Sequence, residues 1–248
     1  MKDNFSTQSD KYAQYRPAYP GELYEFILSH VKTRETAWDC GTGSGQVASR
    51  LTDYFSKVYA SDISAQQIEH AQKHSKIKYS IQPAEKTSFP DKAFDLIVVA
   101  QAIHWFNFEK FYSEVNRTLK ENGLFVVLGY GNAYITPEID KVVEKLYNGI
   151  VGPYWDKERD YIEEHYQTIP FPFKEIESPQ FVNTFQWTFD HFVGYLKTWS
   201  AVKHFIHQRG YNPLDEVYEE LKLSWGAADT REVNYPLLLR LGIPMKSA

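Results

Sequence analysis

Apolar and polar positions alternate along the first 130 residues in a way that predicts strands and helices in turn. Over 20–34, Leu23, Phe26, Ile27 and Val31 fall on one helical face, with Pro20 and Gly21 at its start. A short strand over 36–40 runs directly into Gly41, Gly43 and Gly45. The next helix presents Val47, Leu51 and Phe55 inward, and 57–62 is a second strand. Ser64 followed by Gln67 is the capping-box spacing of a third helix start. Strands over 78–84 and 94–102 follow, the latter carrying the run LIVVA. A helix over 109–122 buries Tyr112, Val115 and Leu119 and stops at Gly123, and 124–129 is a fifth strand. Strands that are apolar almost throughout, alternating with amphipathic helices, imply a parallel sheet covered on both faces.

Beyond residue 130 the pattern changes. Helical periodicity over 138–148 and 156–167 is punctuated by Gly152, Pro153, Pro170 and Pro172. A strand is expected over 181–189, helices over 190–208 and 214–225, and a closing strand over 233–241 whose Pro236 suits a sheet edge. The expected architecture is α/β: a doubly wound, mostly parallel seven-stranded, Rossmann-like sheet with a helical insertion after the fifth strand. It divides into an N-terminal cover (1–36), a ligand-binding core (37–131), the insertion (132–180) and a C-terminal part completing the core (181–248).

Composition narrows the setting. The chain has 248 residues, enough for one large domain at about 150 residues each or a core with an addition. A single Cys excludes an internal disulfide framework and a Cys-based zinc site. No apolar run approaches the ~20 residues of a membrane span, and the first residues lack the apolar centre of a secretory signal. A cytoplasmic protein without a membrane partner is expected. The net charge of −5 is spread along the chain, and no basic stripe offers a nucleic-acid footprint. Aromatic residues make up 16% of the chain, and more than half of them follow residue 129.

The segment Trp38-Asp39-Cys40-Gly41-Thr42-Gly43-Ser44-Gly45-Gln46 carries the most chemistry. Glycines between a strand and a helix let backbone N–H groups approach a ligand at a helix end. A P-loop requires a Lys-Ser/Thr pair where Gln46-Val47 stands. The dinucleotide fingerprint requires a small residue at 46, and here the third glycine comes one position early. S-adenosylmethionine (SAM) fits better, because its ammonium and sulfonium are cationic. Asp39, just ahead of the first glycine, suits such a ligand and would repel a pyrophosphate, although it could also cap the loop. Asp62 ends the second strand, where a carboxylate can accept ribose hydroxyls, and Ile63 beside it could lie against an adenine.

This ordered set is similar to the class I SAM-dependent methyltransferases: D-x-G-x-G-x-G, Asp62, Ala84-Glu85, SFPDKAFDLIVVAQAIHWF and LKENGLFVV. The resemblance runs from about Tyr12 to Gly131. Tyr12-Ala-Gln-Tyr15-Arg16-Pro17-Ala-Tyr19-Pro20, the AQAIHWF string and TWSAVKHF resemble the trans-aconitate methyltransferase-like branch, itself similar to the juvenile hormone acid methyltransferases, which methylate carboxylates of small molecules. The resemblance implies that Gly41, Gly43 and Gly45 lie along the methionine part with Asp39 near its ammonium. It places Asp62 on the ribose, Ala84 and Glu85 near the adenine edge, Gln101 near the methionine end, and Tyr12 and Arg16 at the cofactor carboxylate. LKENG stands where the family usually has a Pro-Gly pair.

On the acceptor side, His104 and Trp105 follow the fourth strand at the sheet's carboxyl edge, where open α/β sheets bind ligands. His104 could hydrogen-bond the substrate or act as a base, with Trp105 shaping the pocket; alternatively both fix the loop. A carboxylate nucleophile needs no base. Lys197, Lys203, His204, His207 and Arg209 read as a solvated helix face, and the His204–His207 pair lacks a third metal ligand. The expected activity is SAM-dependent methyl transfer to a small molecule, with a carboxylate oxygen as the expected acceptor. An NAD-type oxidoreductase and a ligand-binding protein without catalysis are the alternatives. The aromatic excess predicts a ring-lined cover over the cofactor, built from Tyr12, Tyr15, Tyr154, Trp155, Trp187 and Trp199.

Overall fold

A computed structural model describes Tyr15 and residues 17–245. Tyr12 and Arg16 lie outside the described residues. The strands are β1 (Thr36–Cys40), β2 (Lys57–Asp62), β3 (Ile77–Ile81), β4 (Phe94–Ala100), β5 (Leu119–Tyr130), β6 (Lys174–Ile176), β7 (Val182–Trp187) and β8 (Arg231–Ile243). The helices are α1 (Gly21–Ser29), α2 (Gln46–Leu51), α3 (Ala65–His70), α4 (Phe108–Thr118), α5 (Pro137–Glu144), α6 (Asp160–Glu163), α7 (Phe189–Lys197), α8 (Ser200–Arg209) and α9 (Tyr218–Trp225).

The sheet runs β3-β2-β1-β4-β5-β8-β6, with β7 paired to β8 off this path. Pairings from β3 to β5 are parallel, and every pairing of β8 is antiparallel, so the sheet is mixed and has eight strands. Both faces of the parallel part are covered, which is why β4 and the later half of β5 read as near-continuous apolar runs. Along β4, Leu96 and Val98 enter one core while Ile97 and Val99 enter another. A third core joins Tyr130 to α5, α7, α8 and α9.

Several expected elements change form. The helix expected to reach residue 122 ends at Thr118, because Leu119 is already extended (φ −77°, ψ 135°) and pairs with Phe94. Gly123 is therefore not a helix stop. The register jumps from Leu119 to Leu124 against Phe94 and Leu96, so the KENG residues bulge from β5. The helix expected over 156–167 shrinks to a 3-10 turn (Lys157–Arg159) and α6, ended by His165 and Tyr166 at φ +53° and +59°. The helix expected over 190–208 is two, because Trp199 is extended (φ −61°, ψ 136°). β6 lies within the stretch read as a helical insertion. The closing strand is no edge: β8 pairs with β7 up to Pro236 and with β5 from Leu237. Pro236 sits at that change of partner, where its missing N–H is tolerated, and its carbonyl accepts from Gly131 N (2.9 Å).

Candidate functional site

β1 carries Asp39 to the carboxyl edge of the sheet and the glycine loop turns there. Gly41 N and Thr42 N donate to Ser61 O at 2.8 and 3.0 Å, fastening the loop to β2. Gly41 needs φ +71°, and a Cβ on it would stand 2.7 Å from the Ala102 Cβ. No other residue type meets both demands without strain.

The loop borders an open cleft of about 950 Å³, mouth included. Asp39, Gly41, Gly43, Asp62, Ile63, Gln101 and Trp105, all expected at the site, line it. Gly45 does not, since it caps α2 beside the Tyr79 ring. Ala84 is buried in the core, and Glu85 accepts from Asn107 N at 3.0 Å, so neither lines the cleft. Tyr12 and Arg16 lie outside the described residues. Sequence reasoning missed Tyr19, Thr42, Ser44, Gln67, Phe106 and Tyr130 as lining residues. Tyr130 had a signal, because it ends β5 at the same carboxyl edge as Asp39 and Gln101.

Electrostatically the cleft is one-sided. Among the described lining residues there are two carboxylates and no Lys or Arg. Asp39 is 1% exposed; its Oδ2 accepts from Thr42 Oγ1 (2.5 Å) and Ala48 N (2.8 Å), which makes it a loop cap. Capping uses only half of the group, since Oδ1 is buried without a hydrogen-bond partner among the described residues. Burial raises the Asp39 carboxyl to about 7 against the lowering effect of those two hydrogen bonds, and the Asp62 charge raises it further. A cation placed at Oδ1 would relieve both the unmet acceptor and the burial cost, as the ammonium of SAM would; a pyrophosphate would worsen both. Asp62 accepts from Gly43 N through Oδ2 and from Ser64 N through Oδ1, each at 2.9 Å, which fixes its rotamer at the end of β2. The residues present thus fit SAM.

Gln101 follows β4 at φ +53°, donating from N to Leu128 O (2.9 Å) and from Nε2 to Tyr130 O (3.2 Å). A non-glycine residue held in the left-handed region at a cleft is a functional hint with a physical cost. Gln101 and Trp105 also line a second cleft of about 530 Å³, mouth included, so the two spaces meet at these residues. His104, Trp155, Arg159, Tyr195 and Trp199 contribute to its walls. His104 lies 3.2 Å from Tyr166 Oη. Burial, and then the Arg159 charge, hold its imidazole down at about 3, so it is neutral at ordinary pH. Of the rings expected as a cover, Trp155 and Trp199 reach the second cleft. Trp187 packs on Tyr195 and Tyr235, Tyr154 packs on Phe205, and Tyr15 lines a separate surface groove. Among the described residues no group of His, Cys, Asp or Glu is placed to hold a metal, and no helix is long and apolar enough to cross a membrane.

Comparison with known proteins identifies the family. A family model described as "Methyltransferase domain" matches residues 38–127, from the glycine loop to β5. A Dictyostelium discoideum protein named as a methyltransferase is 37% identical over 247 residues, covering 96% of this chain and 94% of its own. A solved structure from Anaeromyxobacter dehalogenans, described as a type II methyltransferase, superposes with a TM-score of 0.86 at 37% identity, covering 93% of this chain and all of that one. A Saccharomyces cerevisiae protein named as an S-adenosylmethionine-dependent methyltransferase is 30% identical over 152 residues, 58% of this chain and 51% of its own length. A dinucleotide oxidoreductase is thereby set aside: the chain belongs to the SAM-dependent methyltransferases.

Proposed function

We propose that the protein methylates a small molecule held in the second cleft, at an ionised carboxylate oxygen, with SAM bound over the glycine loop. The observation that carries this reading is the meeting of the two clefts at Gln101 and Trp105. A methyl donor in one and an acceptor in the other would face each other across that junction. Bound there, SAM supplies an electrophilic methyl carbon: the acceptor oxygen's lone pair forms the new bond while the carbon–sulfur pair returns to sulfur, leaving a neutral thioether.

The protein's own part is then positional. Asp39 would hold the ammonium, Asp62 the ribose hydroxyls, and Ile63 one adenine face. The Gly41 and Gly43 backbone would run along the methionine part, and Gln101 and Trp105 would fix the line of approach. Alignment and exclusion of water are the contributions such a displacement requires. A carboxylate is already ionised and releases no proton. That matches a site whose histidine, His104, stays neutral down to about 3 and so serves as a hydrogen-bonding wall rather than a base. The resemblance of the AQAIHWF and TWSAVKHF segments to the trans-aconitate methyltransferase-like branch supports the same acceptor class. On this reading 37–131 serves the cofactor, while 132–180 and 181–248 supply the far walls of the acceptor cleft.

A methyl-release assay over matched small acids, phenols and amines tests it. Turnover is expected on acids, and turnover confined to phenols or amines would remove the carboxylate assignment. Replacing Asp62 by Ala is expected to weaken SAM binding about tenfold or more, the scale of two hydrogen bonds to a charged group; an unchanged dissociation constant would take Asp62 off the ribose.

A further inference from the structure

The second cleft has two distinguishable ends. Gln101 and Trp105 are shared with the cofactor cleft, whereas Arg159 and Ile162 are shared with a third, outer cleft beside α5. Arg159 therefore stands at the end of the acceptor space away from the glycine loop. It closes the 3-10 turn Lys157–Arg159 and is held from several sides. Nε donates to Tyr147 Oη at 2.8 Å and Nη2 donates to Asn132 Oδ1 at 2.6 Å. The guanidinium carbon sits 5.0 Å from the Trp155 ring centre and 5.5 Å from that of Tyr147.

That arrangement orients a planar fork without neutralising it. Among the described residues Arg159 makes no ion pair with a carboxylate. Two acids close by point elsewhere: Glu163 receives the Tyr147 hydroxyl, and Asp156, which also lines this cleft, stands 3.8 Å from His204 Nδ1. Nη1 donates to no group among the described residues. Rings on one side and a fixed, unneutralised guanidinium on the other make a site for a planar anion.

We infer that Arg159 is a specificity-determining residue, anchoring an anionic group of the acceptor other than the oxygen that is methylated. This rests on the acceptor reading of the second cleft. Two considerations separate anchor from nucleophile. Arg159 does not line the cofactor cleft, so an oxygen on it is remote from the donor. An oxygen whose lone pairs are engaged by a guanidinium is also a poorer nucleophile than a free one. The acceptor is thus a small molecule with two separated functions, a distal carboxylate on Arg159 and a reactive one at Gln101 and Trp105. Its methylated product keeps one negative charge.

The test uses the full chain saturated with S-adenosylhomocysteine and reads equilibrium binding by calorimetry. Its probes are glutarate, adipate and terephthalate, each against its own monoamide. In at least one pair the dianion is expected to bind about tenfold tighter than the monoamide, the scale of one charge-assisted contact. Arg159→Met is expected to collapse that difference while leaving S-adenosylhomocysteine affinity unchanged. No dianion preference in any pair, or an equal loss for both members of a pair in the variant, would overturn the inference. A readout on unaltered protein guards against a variant that fails to fold. The Arg159 Nε–H resonance, assigned by its absence in Arg159→Lys, is expected to move with the dianion and not with the monoamide; a resonance indifferent to both would equally overturn it. Failure of S-adenosylhomocysteine to bind at all would instead sink the reading of the cofactor cleft.

Discussion

Asp39 is a carboxylate kept where charge is costly, and the sign of that cost can be worked out. Its folded value of about 7 stands above the ordinary 3.8, so between these values the native state holds a proton that the unfolded state has released. Stability contributed by this group is therefore present at low pH and is lost as pH rises through about 7. Asp39→Asn is expected to raise the melting temperature of the cofactor-free protein at about pH 8, with the gain shrinking toward pH 4. The same variant should bind SAM about ten- to a hundredfold more weakly, since an amide cannot pair with an ammonium as a carboxylate does. Isothermal titration checks the second expectation, and wild-type affinity would show that Asp39 is a loop cap and nothing more. His104 gives a contrasting prediction. With its imidazole at about 3, the rate profile should show no inflection from it between about pH 5 and 8, and His104→Gln should leave the profile's shape intact. An inflection near 6.5 that the variant removes would restore it as a base. These residues were legible because their types are unusual for their positions: an Asp before a glycine run, and a His-Trp pair after a strand. Tyr19 and Arg159 were not, because a tyrosine or arginine in a loop or turn has no local pattern that separates a wall from a surface.

At the scale of elements, β4 and the later half of β5 were readable from their apolar runs, because burial on both faces admits little else. The failures were at ends and breaks. Nothing local announces that Thr118 rather than Asn122 ends α4. The pairing of Leu119 with Phe94 decides it, a contact across 25 positions that propensity does not see. The break between α7 and α8 is similar: the apolar face continues through Trp199, whose ring at the turn packs on Tyr147, Trp155 and Tyr195, contacts distant or out of register in the sequence. β6 is three residues long with an exposed pattern, below the length at which alternation can be counted. What holds it is Arg240 of β8, only 9% exposed. Arg240 is bidentate to Glu175 at 2.7 and 2.9 Å, donates from Nη1 to Tyr166 O and Ile169 O, and lies 4.4 Å over the Phe171 ring. Arg240→Met is expected to cost about 2–4 kcal/mol, because two buried carbonyls lose their donor along with the ion pair. In a chain of this size that lowers the melting temperature by roughly 5–10 °C. Glu175→Gln should cost much less, as its side chain is 44% exposed and the carbonyl bonds survive. Equal losses for the two variants would put the stabilisation in the ion pair instead of the carbonyls.

For the whole molecule, the question is whether cofactor half and acceptor half fold as one. Two of the three cores lie on the faces of the parallel sheet, and the third is built mainly after residue 130. β8 passes through all of them: Val233 and Tyr235 belong to the late core, Leu238 to one sheet face and Leu241 to the other. Its partner changes at Pro236 from β7 to β5, so one continuous backbone ladder couples the part bearing Arg159 and Trp199 to the part bearing the glycine loop. A strand shared in this way leaves neither half a complete core of its own. Scanning calorimetry is therefore expected to show a single transition, and S-adenosylhomocysteine at about a hundred times its dissociation constant should move all of it upward, by the equivalent of ~2.7 kcal/mol. Leu238→Ala, which opens a cavity where β8 meets the sheet, should lower the same single transition by about 2–5 kcal/mol, with no second peak appearing. Two transitions, of which only one responds to the ligand, would mean that β8 joins the halves without coupling them. The acceptor cleft could then loosen while the cofactor stayed bound, and the alignment at Gln101 and Trp105 would have to be made anew at each turnover.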